Sequence, residues 1–221
     1  MRFRAIRWKR LVWTLLVTFY FINFFRNLFR DALPGLSWLP LLFFIPFTLW
    51  MAVEYYFGSP FFQSGLVEPS QLWKGLFALF YYPFLAFSVA DFIWLHWGQI
   101  TRVVPYLNIL GVLIFLLGSY LRLATLRTLM RAVPGRLVHH GLFRIVRHPR
   151  YLGTLVQLLA VPVTFSSWLG LVICLAIGLP LVLKQIAVEE TRLTENLGDE
   201  LAAYRNLPAL IPFRIRRSSG S

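Results

Sequence analysis

The stretch "YLGTLVQLLAVPVTFSSWLGLVICLAIGLPLVL", residues 151–183, carries no charged side chain over 33 positions and decides how the chain folds. As one helix it would be about 50 Å long at 1.5 Å per residue, too long for a bilayer core of about 30 Å and too short for two full crossings. A turn must therefore lie inside it. Pro162 and the polar pair Ser166 and Ser167, just before Trp168, mark the place. Folding there gives an antiparallel hairpin centred between Ser166 and Ser167, which sets His148 opposite Gln185. The polar segment "RHPRY" at residues 147–151 then meets "KQIAVEETR" at 184–192.

Working outward, other apolar runs cover Leu11 to Phe25, Ala32 to Val53, Gly75 to Ala90 and Val103 to Leu121. With 58% hydrophobic and 14% charged residues and a mean hydropathy of +0.65, the composition lies beyond that of a soluble domain. These runs predict an all-α, polytopic membrane helix bundle of about five to six membrane helices including the C-terminal hairpin. Crossings are expected near 10–29, 36–57, 73–97 and 104–122. Residues 1–130 form the N-terminal helices and 131–217 the catalytic region, with 218–221 ("SSGS") as an appended tail. The stretch "RFRAIRWKR" resembles a signal n-region, but Phe24, Phe25 and Arg26 follow where small residues would be needed for cleavage, so the first helix is expected to be retained.

The net charge of +13 is unevenly placed. Five of the 22 basic residues lie in Met1 to Arg10, seven in Arg122 to Arg150 and six in Lys184 to Arg217. The predicted crossings put all three segments on one side, which satisfies the positive-inside rule and sets both termini and the polar hairpin mouth at the cytoplasmic face. A basic membrane protein of this kind implies no nucleic-acid partner. Arg122, Arg127, Arg131 and Arg136 are expected to extend the fourth helix into the cytoplasm, as topology determinants or as contacts to anionic headgroups.

Local chemistry follows from spacing. His148 and Tyr151 are three apart and Gln185 and Glu189 four apart, so each pair shares a helical face. Pro149 suits a first helical turn, where its missing N–H costs nothing. The cluster can be a functional site or a set of interfacial anchors and ion pairs closing the hairpin. Glu54 and Asp91 end apolar runs, where an ionisable group must be paired or wet; for Asp91 the expected arrangement is helix-end pairing, and lining of a substrate path together with the nearby His96 is the alternative. Cys174, the single cysteine, is expected to be a buried, inert thiol. Four histidines are too few for a histidine-rich di-iron centre, and no spacing, that of His139 and His140 included, suggests a metal site.

"GLFRIVRHPRYLG" at 141–153, the hairpin, "EETRL" at 189–193 and "LGDELAAYRNLPALIP" at 197–212 together resemble the isoprenylcysteine carboxyl methyltransferase and phospholipid methyltransferase superfamily of integral membrane enzymes. The resemblance covers Gly135 to Pro212. It implies S-adenosylmethionine as cofactor, with S-adenosylhomocysteine as product, and a lipid or lipophilic acceptor entering from the bilayer. It implies backbone contacts to the cofactor from Gly135, Arg136, Leu137 and Val138, and a lining from His148, Pro149, Arg150 and Tyr151. Glu189 corresponds to the residue that holds polar groups of the cofactor, with Glu190 as its companion. Phe143 stands where the carboxyl methyltransferases often have tyrosine, keeping the ring and losing the hydroxyl. Gln185 replaces the arginine that anchors the substrate carboxylate, which points away from a prenylcysteine acceptor and toward a phospholipid amine or another neutral lipophile. His148, Tyr151 and Gln185 are the candidate catalytic residues; His148 would position the cofactor or accept the acceptor's proton.

Two other readings stay open. Membrane sterol reductases, which bind a nicotinamide cofactor, also resemble this region, but they carry an asparagine–tyrosine pair where this chain has Arg150 and Tyr151. A non-enzymatic homologue would keep the hairpin only as structure. Oligomeric state cannot be read from the sequence.

Overall fold

Pro149, with its fixed backbone angle and no N–H to leave unpaired, starts the helix around which the others are arranged. The computed structural model describes residues 38–57, 70–100, 105–130, 138, 140–197 and 207–210, with scattered positions between 8 and 27. The described residues are helical apart from connecting turns and one isolated β-bridge. Helix α1 is Trp38–Phe57. Helix α2 is Gln71–Ala90, capped by Ser70, whose Oγ accepts from the Trp73 N–H at 3.2 Å, and it runs on into a π turn at Asp91–Leu95. Helix α3 is Tyr106–Leu129, α4 is Pro149–Thr164 and α5 is Trp168–Ile173; a second π turn at Cys174–Gly178 joins α5 to α6, Leu179–Leu197.

Among the described residues, three stretches are long and apolar enough to cross a bilayer, Leu72–Leu95, Tyr106–Leu129 and Trp168–Glu195, with a shorter apolar helix at Leu42–Glu54. The first expected crossing falls mostly outside the described residues; its described positions are helical, and Leu15, Leu16 and Phe19 among them are exposed. Exposed leucines such as Leu79, Leu113 and Leu117 suit a lipid-facing surface, since lipid tails solvate apolar side chains.

The turn comes where the residues predict it. Phe165 and Ser166 leave the helix, with Ser166 in the left-handed region at φ 51°, and Ser167 caps α5 by accepting from the Gly170 N–H at 3.0 Å. Pro162 stays inside α4 rather than breaking it. This end is stapled to the α2–α3 connection. Ile100 N–H donates to Ser166 O at 2.8 Å, Trp168 N–H donates to Gly98 O at 2.9 Å, and Asn108 Nδ2 donates to Thr164 O. Asp91 is paired at the end of α2, as expected: its carboxylate accepts from Ser167 Oγ and from Gly98 N–H at 3.0 Å, whereas His96 Nδ1 bonds Gln99 Oε1 at 2.7 Å. The turn backbone needed donors and acceptors inside an apolar region, and the carboxylate satisfies them. Trp94, Trp97, Tyr106 and Trp168 are exposed around the same end, as an aromatic girdle would be.

Helices α3 and α4 form the tightest pair, because glycines let their backbones touch. A Cβ on Gly118 would lie 2.8 Å from Gly153 O, and one on Gly153 would lie 2.9 Å from Gly118 O. Small residues at such crossings are how membrane helices gain van der Waals contact. Against this pair packs an aromatic core from α1 and the turn, with Phe43 5.0 Å from Phe115 and 5.4 Å from Phe165 by ring centroid. Cys174 is buried beside it, as expected.

One expectation about the basic residues is overturned. The fourth expected helix does run on past residue 122, with α3 continuing to Leu129, but Arg122 does not point out of the bundle: it is 1% exposed. A buried acid from α1 draws it inward.

Candidate functional site

Helix α4 has 16 residues and is about 24 Å long, shorter than a hydrocarbon core of roughly 30 Å. The second arm, Trp168 to Leu197, runs on past the start of α4. The hairpin therefore brings the start of α4 beside the polar end of α6. Arg147 Nη1 donates to Glu190 Oε1 at 2.8 Å, and His148 Nε2 is 3.1 Å from the same oxygen. The meeting of "RHPRY" with "KQIAVEETR" holds, but the register differs: His148 reaches Glu190, five positions beyond Gln185. A helical side chain leans toward its own N-terminus, so Glu190 reaches back along α6 toward the level of His148.

Glu190 is one-third exposed, whereas Glu189, Gln185 and Tyr151 are buried, and His148 is buried with its ring 5.9 Å from that of Tyr151. Phe143 is buried in the 3-10 turn Gly141–Arg144, which Gly141 opens at φ 64°, and Val138 is buried beside this segment in the chain. Gly135, Arg136 and Leu137 lie outside the described residues. The third motif also reaches the site: Arg147 N–H donates to Pro208 O and His148 N–H to Ala209 O, both at 3.0 Å. His148 is thereby held outside the helix, at φ −121° and ψ 61°, and hands over to Pro149 at the first turn of α4.

Arg150 takes a different direction from its neighbours. Its Nη2 donates to Glu54 Oε2 at 3.0 Å, on α1. Glu54 is also gripped on both carboxylate oxygens by Arg122, from Nε at 2.8 Å and Nη2 at 2.7 Å, and accepts from Trp50 Nε1 at 3.0 Å. Arg122 Nη1 donates to Thr154 Oγ1, and its guanidinium lies 5.1 Å from the Trp50 ring centroid. Sequence reasoning missed this cluster. The signal it offered was an acid at the end of an apolar run, a place where a partner is obligatory. The partner is 68 residues away and resembled a juxtamembrane cation.

The donor set fits S-adenosylmethionine. Nε and Nη1 of Arg150 are buried with no hydrogen-bond partner among the described residues, so they are available to a carboxylate. Glu189 is a buried carboxylate suited to an ammonium or to ribose hydroxyls, and Phe143 and Tyr151 offer aromatic surface for adenine. Among the described residues no group of histidine, cysteine and carboxylate side chains could hold a metal ion.

A phospholipid methyltransferase family model matches residues 106–200, from the first turn of α3 past the end of α6. The motif resemblance is thus borne out over the region that contains the polar hairpin mouth. No curated protein matches the chain.

Proposed function

We propose, from the premise that this is a membrane protein whose residues 106–200 are of phospholipid methyltransferase type, that it moves a methyl group from S-adenosylmethionine to a lipid or lipophilic small molecule. The observation that supports the reading is that His148, its ring beside Tyr151, meets Glu190 on α6 at 3.1 Å, on the helix that carries the buried Gln185 and Glu189.

The bound cofactor supplies an already activated methyl group on a sulfonium. The protein's task is then to align an acceptor lone pair with the methyl carbon and to exclude water, which is positioning work. Arg150 and Glu189 would hold the charged groups of the cofactor's methionine part, one taking the carboxylate and the other the ammonium. The backbone near Val138 and the rings of Phe143 and Tyr151 would hold the nucleoside. His148, fixed by Glu190 on one side and by the Ala209 carbonyl at its backbone, would position the cofactor. Where the acceptor is an amine, the same imidazole would take its proton as the new bond forms.

Gln185 bears on the acceptor. A neutral amide cannot form an ion pair with a substrate carboxylate, so a prenylcysteine finds no charge partner at this position, whereas a phospholipid amine or neutral lipophile needs none. The test is methyl transfer from labelled S-adenosylmethionine by purified protein in nanodiscs, with phosphatidylethanolamine and a farnesylcysteine analogue as alternative acceptors. The reading expects label in the lipid. Label in the farnesylcysteine analogue alone would overturn the acceptor class, and no transfer from S-adenosylmethionine to either acceptor or to a native lipid extract would overturn the activity.

A further inference from the structure

Glu54 belongs to α1, outside the segment matched by the family model, yet it is joined to the motif at the start of α4. Its carboxylate side chain is fully buried, and the side chains of Arg122 and Arg150 are 1% and 5% exposed. Arg122 alone would satisfy Glu54, by a two-point contact that neutralises it. Arg150 adds a second guanidinium to the same carboxylate, through Nη2 at 3.0 Å. Arg150 spends one nitrogen on Glu54 and retains Nε and Nη1 as buried donors.

We propose that Glu54 is a positioning residue of the site: it fixes the Arg150 guanidinium so that Nε and Nη1 bind an anionic oxygen of the ligand, a carboxylate or a phosphate diester. This rests on the methyltransferase reading above. It makes α1 a necessary part of the active unit, not a membrane anchor attached to one. The carboxylate would come from the cofactor and the phosphate from a lipid headgroup, and the two sources are separable by experiment.

The experiment compares wild-type protein with Glu54→Gln, Glu54→Asp and Asn108→Ala in detergent. Asn108→Ala removes a buried hydrogen bond at the opposite end of the α3–α4 pair and serves as the stability control. S-adenosylhomocysteine affinity is read by calorimetry below each variant's unfolding transition, and the KM for phospholipid is read in nanodiscs. Loss of a charged hydrogen-bonding arrangement is expected to weaken Glu54→Gln by about tenfold or more. The loss falls on S-adenosylhomocysteine affinity if the anion is the cofactor's carboxylate, or on lipid KM if it is the headgroup phosphate. Glu54→Asp restores part of it, and Asn108→Ala leaves both constants unchanged. Where Glu54→Gln does not purify as a monodisperse species, Glu54→Asp carries the comparison, with a smaller shift in the same constant. Unchanged constants in the Glu54 variants, or an equal shift in Asn108→Ala, overturn the proposal alone. Wild-type protein that binds no S-adenosylhomocysteine overturns the methyltransferase reading and this proposal with it.

Discussion

Arg122 meets Glu54 on both carboxylate oxygens, at 2.8 and 2.7 Å, across 68 residues of sequence and with neither side chain more than 1% exposed. This contact ties α1 to α3, and Thr154 and Arg150 extend it to α4. Such a pair adds little over a well-packed apolar substitute, but losing Arg122 removes its two hydrogen bonds to Glu54 and the one to Thr154, and leaves Arg150 as the remaining guanidinium on the carboxylate. Arg122→Ala is therefore expected to lower stability by about 1.5–3 kcal/mol. Denaturant unfolding in mixed micelles measures this; a loss below about 1 kcal/mol would mean that water reaches Glu54.

The α3–α4 crossing makes a steric prediction. Gly118→Ala places a methyl group 2.8 Å from Gly153 O and 2.7 Å from Gln157 Cγ, so the helices must part, at a cost of about 1–3 kcal/mol. Gly75→Ala on α2 meets nothing within 4 Å and is expected to be neutral or to stabilise by about 0.5–1 kcal/mol through helix propensity. Thermal unfolding of the two variants side by side checks the contrast.

At the far end, Asp91 serves the turn. Asp91→Ala leaves the Gly98 N–H and the Ser167 hydroxyl without their acceptor, a loss of about 1–3 kcal/mol. Because this end is remote from His148, S-adenosylhomocysteine affinity is expected to stay at the wild-type value in the folded variant. A change in affinity matching that of the hairpin-mouth variants would place Asp91 in the site.

The two adjacent glutamates are expected to behave differently. Glu190 is one-third exposed and pairs with Arg147 at the rim, where a salt bridge contributes under about 1 kcal/mol, so Arg147→Gln should barely alter stability. Glu189 is buried, and Glu189→Ala is expected to abolish cofactor binding while the protein still folds and inserts. Calorimetry on the purified variant decides it; undiminished affinity would remove Glu189 from the site.

What was legible in the sequence was local. Ser166, Ser167 and Trp168 announced the hairpin because a long uncharged run cannot cross a bilayer once, and Pro149 announced the start of α4. The motif residues His148, Tyr151 and Glu189 could be brought to one end of the molecule by counting from the turn. What could not be read depended on tertiary partners. His148 counts opposite Gln185 but bonds Glu190, a choice set by how the two arms pack. Arg122 looked like one more cation following an apolar run, because only the fold shows that Glu54 stands opposite it. For Asp91 the need for pairing at a helix end was legible, but its partners, Gly98 N–H and Ser167 Oγ, are set by the fold.

The most direct test of the central claim is calorimetric titration of the detergent-purified protein with S-adenosylhomocysteine and, separately, with NADPH. The account predicts saturable, micromolar binding of S-adenosylhomocysteine and none of NADPH. Binding of NADPH alone would contradict it in favour of a reductase, and binding of neither would leave the hairpin mouth a structural feature.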